Sequence, residues 1–246
     1  MIKTSIVDHI LIISINRPEK RNAIDLKTAQ ELEKTFINFE KDENLYISII
    51  YGEGGNFSSG ADLSDLNNLE KRSMNSNGPL GFTRRILSKP LIAAVSGYCV
   101  AGGFELALWA DIRIAEQGSQ FGFLERRFGV PLIDGGTQRL PLIAGIGNAL
   151  YLILTGKLIN ADEAFKMGIV NEIVPTGESL SRAVEIAEII TKYPQITLRN
   201  DRLALYSSFE FEKRMEIEAK FGKEVLDSKV PFEGAKKFLN GKRKKL

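Results

Sequence analysis

The sequence predicts an α/β fold, because short apolar and β-branched runs alternate with longer segments in which apolar residues recur at helical spacing. The chain has 246 residues and 43% hydrophobic content, enough for a continuous core. Its net charge is only +2, which does not point to a nucleic-acid protein. No apolar run approaches the ~20 residues of a membrane span, and no secretory signal is expected at the start.

The first predicted strand covers residues 9–16, an isoleucine-rich run that ends at Arg17-Pro18. A helix is predicted next, because apolar side chains then recur at spacings of three and four, at Leu26, Ala29, Leu32, Phe36 and Phe39. Further strands are predicted at residues 46–51, 91–95, 111–115 and 168–174, with helical patterns between them. This order indicates repeated strand and helix units.

Residues 71–79 are polar and rich in turn-forming residues. We expect a mobile segment near the entrance of a site. A disordered loop with no functional role is the alternative.

Past Pro194 the strand patterns stop, and the sequence predicts a helical region. One apolar stripe contains Phe211, Met215, Ala219 and Leu226, and a second contains Ile217, Phe221 and Val225. So wide an apolar face is expected to pack on the core or on a neighbouring subunit. We therefore divide the chain into a core, residues 1–194, and a C-terminal helical region, residues 195–246.

The sequence lacks the residues that several common catalytic and nucleotide-binding sites require. His9 is the single histidine and no Gly-x-Ser-x-Gly motif accompanies it, which argues against a Ser-His-Asp arrangement. Gly145-Ile146-Gly147 lacks the third glycine of a dinucleotide-binding motif, and Leu158 stands where a P-loop needs Ser or Thr. The single cysteine, Cys99, excludes an internal disulfide and fits a reducing compartment.

Two segments each place small residues where an apolar run gives way to a turn, namely Gly60-Ala61-Asp62-Leu63 and Ala101-Gly102-Gly103-Phe104-Glu105. A helix is expected to start near Gly102, with unpaired N–H groups at its first turn. Two such backbone donors that converge on one oxygen would stabilise an oxyanion.

Two glutamates accompany these turns. Glu105 falls in the first turn of the predicted helix, where a carboxylate also complements the helix dipole. Glu125 lies in the apolar segment Phe121-Gly122-Phe123-Leu124-Glu125, where a carboxylate needs a partner or a function. The local sequence alone leaves a structural role open for both glutamates.

These residues belong to a longer series of motifs through which the chain resembles the crotonase superfamily, specifically the enoyl-CoA hydratase/isomerase family. The resemblance covers nearly the whole chain. The matching segments are Asn16-Arg17-Pro18 with Asn22-Ala23, Phe57 to Leu63, Lys89 to Tyr98, Gly102 to Ala107, Asp111 to Ala115, Gly135 to Leu140, Leu154-Thr155-Gly156 and Ala161 to Ala164. The resemblance implies a spiral of repeated ββα units with a C-terminal helical region that mediates trimerisation, often as a dimer of trimers.

The resemblance also implies site residues. It assigns the backbone N–H groups of Ala61 and Gly102 to the thioester carbonyl of an acyl-CoA, and Glu105 and Glu125 to catalysis of hydration. Residues expected to bind the CoA substrate are Asn22, Ala23, Ser59, Gly60, Asp62, Leu63 and Gly103.

The implied activity is that of an enoyl-CoA hydratase, a hydro-lyase of fatty acid metabolism that adds water to the 2,3 double bond of a trans-2-enoyl-CoA. The alternatives are another reaction through the same enolate, such as isomerisation, thioester hydrolysis or a carnitinyl-CoA-type hydration or racemisation. A non-catalytic RNA-associated protein is a third possibility, for which the basic residues 242–245 are the only cue.

Residues 126–134 depart from the pattern of the best-known hydratases. Arg126, Arg127 or Asp134 could pair with Glu125 and lower its pKa. Asp134 could instead transfer a proton or cap the helix that begins at Gly135. The variant segment as a whole could also suit a polar or branched acyl group.

We expect no metal, because backbone donors do the work of a Lewis acid. No separate cofactor is expected either, since coenzyme A is part of the substrate. The expected assembly is a homotrimer or a hexamer. The expected location is the cytoplasm, without membrane or nucleic-acid partners.

Overall fold

The computed structural model describes residues 1–241, with the side chains of residues 69, 211 and 212 outside the description. The basic residues 242–245 and the predicted place of the Phe211 side chain therefore lie outside the described residues. The strands are β1 (Ile2–Val7), β2 (Ile10–Ile15), β3 (Ile47–Gly52), β4 (Leu91–Val95), β5 (Tyr98–Val100), β6 (Ile112–Glu116), β7 (Gln120–Gly122), β8 (Ile159–Asn160) and β9 (Glu172–Val174). The helices are α1 (Leu26–Lys41), α2 (Leu66–Arg72), α3 (Gly102–Trp109), α4 (Gly136–Thr155), α5 (Ala161–Lys166), α6 (Ser179–Thr191), α7 (Gln195–Ser207), α8 (Phe211–Asp227) and α9 (Val230–Leu239).

The larger sheet has the strand order β1-β2-β3-β4-β6-β9. β1 and β2 are antiparallel, and every later pair in this sheet is parallel. Its strands β2, β3, β4, β6 and β9 confirm the five predicted from the sequence, although β9 keeps only the end of the predicted run. β1 was not predicted, because most of its side chains are exposed and it carries no apolar run.

A smaller sheet, in the order β5-β7-β8, is built from strands of two or three residues. Such strands are too short to show a periodic pattern. Successive strands of the two sheets and a helix form repeating units, β4-β5-α3 and β6-β7-α4. This is the predicted α/β spiral of ββα units.

The strands of the larger sheet alternate their side chains between two apolar layers. On one side, Ile47 and Ile49 of β3 pack with Ala183 and Ala187 of α6. On the other side, Ile50 joins the main core with residues of α1 and α3. A sheet buried on both faces explains why its strands appear in the sequence as continuous apolar runs.

From Gln195 onward, the described elements are all helices, as predicted. On α8, Met215, Ala219 and Leu226 are buried, whereas the second stripe is exposed, with Ile217, Phe221 and Val225 on it. Within the described residues, no helix combines the length and apolar character needed to cross a bilayer.

The segment 71–79 forms the end of α2 and a series of turns. The Asn77 side chain donates to Glu33 of α1 at 2.8 Å, and Arg84 donates to the Asn75 carbonyl at 2.7 Å. The mobility of this segment stays a prediction.

An aromatic cluster joins the next residues to the core. The ring of Phe82 lies 5.3 Å from that of Phe36 in α1 and 5.1 Å from that of Trp109 in α3. The Trp109 indole donates to the Arg85 carbonyl at 2.7 Å. These contacts fix residues 80–85, which reach the site described below.

Replacing Phe82 with Ala is expected to lower the free energy of unfolding by about 3–5 kcal/mol, because the ring is fully buried. The matched control is Phe165→Ala, where the ring is half exposed and the loss should stay below about 1 kcal/mol. Urea unfolding measures both. Equal losses at the two positions would contradict the role of the cluster.

Candidate active site

The two small-residue turns predicted to converge do lie against each other. A Cβ atom placed on Gly60 would lie 2.5 Å from the backbone nitrogen of Gly102, and one placed on Gly102 would lie 3.4 Å from that of Ala61. A Cβ on Gly103 would lie 2.3 Å from the Ser58 carbonyl oxygen. Glycine at these positions therefore permits two strand ends to meet.

The start of α3 is held in an unusual backbone conformation. Ala101 has φ +53° and ψ −134°, a region that an L-residue rarely adopts and that costs of order 1–3 kcal/mol. Its carbonyl accepts from the N–H groups of Phe104 and Glu105, which closes the first turn. Such strain next to a helix N-terminus is typical of a functional site.

The N–H groups of Ala61 and Gly102 both remain available. Ile24 donates to the Gly60 carbonyl and accepts from Asp62, a parallel bridge that leaves out the Ala61 N–H. Among the described residues, no hydrogen bond uses the N–H of Ala61 or of Gly102. Two adjacent free donors are suited to bind an oxygen that becomes negatively charged.

Glu105 is buried within α3, and its carboxylate is held by the turn that precedes α4. Its Oε1 accepts from the backbone N–H of Asp134 at 3.0 Å and of Gly136 at 2.8 Å. A Cβ on Gly136 would come within 2.9 Å of this oxygen, so only glycine lets the carboxylate sit here. Its Oε2 has no hydrogen-bond partner among the described residues, which leaves that oxygen for a water molecule.

Burial raises the pKa of Glu105 well above its ordinary value, and the charges of Asp134, Glu218 and Glu125 raise it further. The N–H of Gly136 acts in the opposite direction, because it stabilises the ionised form. Glu105 and Glu125 therefore lie within electrostatic range of each other. Because the carboxylates of Glu105, Asp134 and Glu218 repel one another, they titrate as a group.

Glu125 follows β7 in a short 3₁₀ turn, Leu124–Phe128. Its side chain is buried, and neither Oε1 nor Oε2 has a hydrogen-bond partner among the described residues. Burial raises the pKa of Glu125 to about 8, so this carboxyl group carries a proton at neutral pH. An apolar pocket around an unpartnered carboxyl group is the environment of a general acid.

The arginines that follow do not neutralise Glu125. Arg126 and Arg127 are exposed, and Arg126 donates to the Val130 carbonyl. The charge of Arg126 opposes the rise in the pKa of Glu125 but is outweighed by burial. Arg126 thus acts in the direction suggested from the sequence, but the net pKa of Glu125 is raised and not lowered.

Asp134 does not cap α4. The N-cap residue is Gly135, with no side-chain capping bond, so the suggested capping role of Asp134 is wrong. Its buried Oδ1 instead accepts from the Leu80 N–H at 3.1 Å and the Thr83 hydroxyl at 2.5 Å. Burial raises the pKa of Asp134, although these bonds and nearby arginines oppose the shift. Asp134 thus lies beside Glu105 as a third carboxylate of the site.

A fourth carboxylate, Glu218 of α8, was missed from the sequence. It is buried and accepts from the N–H of Gly135 at 2.5 Å and of Thr137 at 2.9 Å. Two buried guanidinium groups, of Arg84 and Arg139, lie close enough for their charges to act on these carboxylates. The only sequence signal for Glu218 is an acidic residue beside Ala219 on the buried stripe of α8.

Of the predicted CoA-binding residues, Gly60, Asp62, Leu63 and Gly103 belong to the two turns, and Asn22, Ala23 and Ser59 lie in the loops beside the first turn. The Asn22 side chain is fully used internally, since it accepts from the Arg17 N–H at 2.9 Å and donates to the Glu53 and Asn56 carbonyls. The Ala23 carbonyl accepts from the Arg17 guanidinium. Asn22 and Ala23 therefore shape the loop, and contact with CoA stays a prediction.

Ser59 and Asp62 are likewise engaged in internal hydrogen bonds. The Ser59 hydroxyl donates to the Lys20 carbonyl, and Asp62 accepts from the N–H and hydroxyl of Ser64. Burial raises the pKa of Asp62, but these bonds and the Arg17 charge outweigh it and hold the pKa below its ordinary value. Leu63 packs on the core.

An open groove of about 440 Å³ runs along the first turn and the loops beside it. Its charged lining consists of Arg17, Lys20 and Lys27 together with Asp25, Asp62 and Asp65. Arg17 is ion-paired with Asp25 and Asp62, so Lys20 and Lys27 are the cations of the lining that are suited to meet a phosphate-bearing ligand.

Comparisons with known proteins agree with this geometry. The sequence profile of the family described as "Enoyl-CoA hydratase/isomerase" matches residues 5–245. The chain is similar to the mevalonyl-coenzyme A hydratase of Aspergillus fumigatus, at 37% identity over 82% of this chain and 76% of that protein. It is also similar to the crotonyl-CoA hydratase of Syntrophomonas wolfei, at 36% identity over 86% of this chain and 84% of that protein.

A similar solved structure is that of a carnitinyl-CoA hydratase from Mycobacterium avium. It has a TM-score of 0.89 and 28% identity, and the match covers 100% of this chain and 97% of that chain. The predicted fold is thus confirmed along the whole chain.

Proposed function

The chain belongs to the enoyl-CoA hydratase/isomerase family, and we propose that it is an enoyl-CoA hydratase, which adds water to the 2,3 double bond of a trans-2-enoyl-CoA thioester. The observation that carries the proposal is one site with two free N–H donors, a carboxylate held by backbone amides, and a carboxyl group that is protonated at neutral pH. Each serves one step of hydration.

The N–H groups of Ala61 and Gly102 bind the thioester oxygen. As water attacks C3, the electrons of the double bond move toward this oxygen and form an enolate. Because the two donors are already in place, they stabilise the charge without reorganisation, and each donor contributes about 3 kcal/mol to lowering the barrier.

Glu105 acts as the base and Glu125 as the acid. The free Oε2 of Glu105 takes a proton from the water as its oxygen bonds to C3, and Glu125 gives its proton to C2. Glu105 has then gained a proton and Glu125 has lost one. The site returns to its starting state when the proton on Glu105 passes to Glu125. The high pKa of Glu125 keeps this carboxyl group protonated at neutral pH, as a general acid must be.

The groove beside Lys20 and Lys27 is the proposed path of the CoA moiety. It adjoins Asp62, next to the Ala61 donor, so a thioester held there can extend its phosphates toward Lys20 and Lys27. Coenzyme A enters as part of the substrate, and the mechanism uses no further cofactor. The location that we propose is the cytoplasm.

A second candidate is hydration of a polar acyl group by the same mechanism. Asp134 has one oxygen, Oδ2, without a hydrogen-bond partner among the described residues, and it lies beside Glu105. A hydroxyl group on the acyl chain would satisfy that oxygen. The similarity to enzymes named for mevalonyl-CoA and carnitinyl-CoA also supports a polar acyl group as the substrate.

We propose a homotrimer, or a hexamer of two trimers, as the assembly. α8 exposes Ile217, Phe221 and Val225 along one stripe, and α4 exposes Ile146 and Leu154. Apolar patches of this kind are usual at subunit interfaces.

The activity is tested by adding crotonyl-CoA and following the loss of the conjugated enoyl absorbance, with a 3-hydroxyacyl-CoA as the expected product. Glu105→Gln and Glu125→Gln should each lower kcat about 100-fold or more while CoA affinity is kept. In the intact protein, kcat should fall toward acid as Glu105 gains a proton, at a pH well above the ordinary range of a glutamate because burial raises its pKa, and should fall again above about pH 8 as Glu125 loses its own. Near-normal turnover by either variant would remove that glutamate from the mechanism.

The acyl preference is tested by comparing crotonyl-CoA with crotonobetainyl-CoA and with the dehydrated form of mevalonyl-CoA. Higher kcat/KM for a polar substrate, lost in Asp134→Ala, would support the second candidate. A preference for crotonyl-CoA that is unchanged by the substitution would exclude it.

Gly60→Ala tests the oxyanion site, because its methyl group would lie 2.5 Å from the Gly102 nitrogen. We expect kcat to fall about 100-fold. Gly55→Ala is the matched control, since Gly55 also has positive φ (+79°) but no heavy atom within 4 Å of the added carbon. Equal losses in both variants would mean that backbone strain, and not the displaced donors, causes the effect.

The assembly is tested by sedimentation analysis. The intact chain should sediment as a trimer or hexamer, and Phe221→Glu should shift it toward monomers because a charge is placed in the apolar interface. Ile6→Glu, at an exposed apolar position of β1, is the control. A monomeric wild-type protein would contradict the proposal.

A further inference from the structure

Helix α8 approaches the turn before α4 more closely than a side chain would permit. A Cβ on Gly222 would lie 1.8 Å from Cγ2 of Ile133, the residue that precedes Asp134. One turn earlier on the same helix face, Glu218 accepts from the Gly135 N–H, and two turns earlier the Met215 methyl lies 3.5 Å from a Cβ placed on Gly135. The glycine therefore lets α8 bring a carboxylate into the interior.

Glu218 and Glu105 share the backbone of the turn between them. The N–H groups of Asp134 and Gly136 point to Glu105, and those of Gly135 and Thr137 point to Glu218. The Thr137 hydroxyl also donates to Glu218. Four consecutive amides thus alternate between two carboxylates that approach from opposite sides.

This alternation makes the two carboxylates interdependent. A peptide plane that rotates away from Glu218 also moves the neighbouring plane whose N–H is bonded to Glu105. The turn contains Gly135 at φ +104° and Gly136, so the backbone alone does little to restrict it. The contacts from Glu218 supply the missing restriction.

We propose that Glu218 is a positioning residue, which holds the 134–137 turn so that the amides of Asp134 and Gly136 stay directed at the catalytic base Glu105. The inference rests on the proposed hydration, in which Glu105 accepts the proton of water. It assigns to the C-terminal helical region a part in the chemistry of the core.

The charge of Glu218 also acts on Glu105. Loss of that charge should lower the pKa of Glu105, because the Glu218 carboxylate raises it. The acidic groups that face Glu105 are Asp134, Glu218 and Glu125. The cations that face it are Arg84 and Arg139.

The test is Glu218→Gln, assayed for hydration of crotonyl-CoA across pH. The amide has one acceptor oxygen, so it cannot receive both Gly135 and Thr137 as the carboxylate does. We expect kcat to fall about 10-fold or more with KM within about twofold, because the base is displaced while binding is not. The acidic limb of the kcat profile should move to lower pH.

Glu216→Gln is the matched control, since it makes the same change at an exposed position of α8. It should leave kcat, KM and the pH profile as in the wild type. Thr137→Val, which removes only the hydroxyl donor, should lower kcat less than Glu218→Gln does. Circular dichroism and thermal unfolding verify that each variant is folded.

Normal kcat in a folded Glu218→Gln variant would overturn the inference. A lower kcat with an unchanged acidic limb would also overturn it, because that result assigns Glu218 a structural role only. If the wild-type protein does not hydrate crotonyl-CoA or the polar substrates, the proposed function fails first, and the two failures are thereby distinguished.

Discussion

The turn at residues 134–137 is the point on which the site depends. Its four amide groups are bound alternately by Glu105 from α3 and Glu218 from α8, so one short segment connects the ββα core to the C-terminal helices. Helix N-termini leave such N–H groups unsatisfied, and buried carboxylates are their strongest acceptors. The arrangement provides hydrogen-bond acceptors for the N–H groups at the start of α4 and at the same time fixes the orientation of Glu105.

This solution places several like charges in the interior, which is favourable only because other groups compensate. Arg139 donates to the Asp134 carbonyl at 3.0 Å, and Arg84 donates to the Ile133 carbonyl at 3.0 Å, so both cations are held at the same turn. Burial still raises the pKa of Glu105, Asp134 and Glu218. A cluster with more carboxylates than cations retains protons near neutral pH, a property suited to acid and base chemistry.

The rest of the site is formed where the backbones at Gly60 and Gly102 approach each other closely. Gly60 lies between β3 and α2 and Gly102 begins α3, and their close approach sets the N–H of Ala61 beside that of Gly102. The strained conformation of Ala101 is the cost of aiming the second donor. Glu125, in contrast, is buried with neither carboxyl oxygen hydrogen-bonded to a described residue, and this burial raises its pKa to about 8.

The sequence by itself determined the α/β order, the buried strands, the start of α3 at Gly102 and the helical region from Gln195, because apolar periodicity and glycine turns are local properties. Through its motifs it also pointed to Ala61, Gly102, Glu105 and Glu125. It did not predict β1, which pairs through its backbone with few buried side chains. Only the tertiary structure decided the partners of Asp134 and of Glu218, because hydrogen bonds between residues far apart in the chain leave no periodic trace.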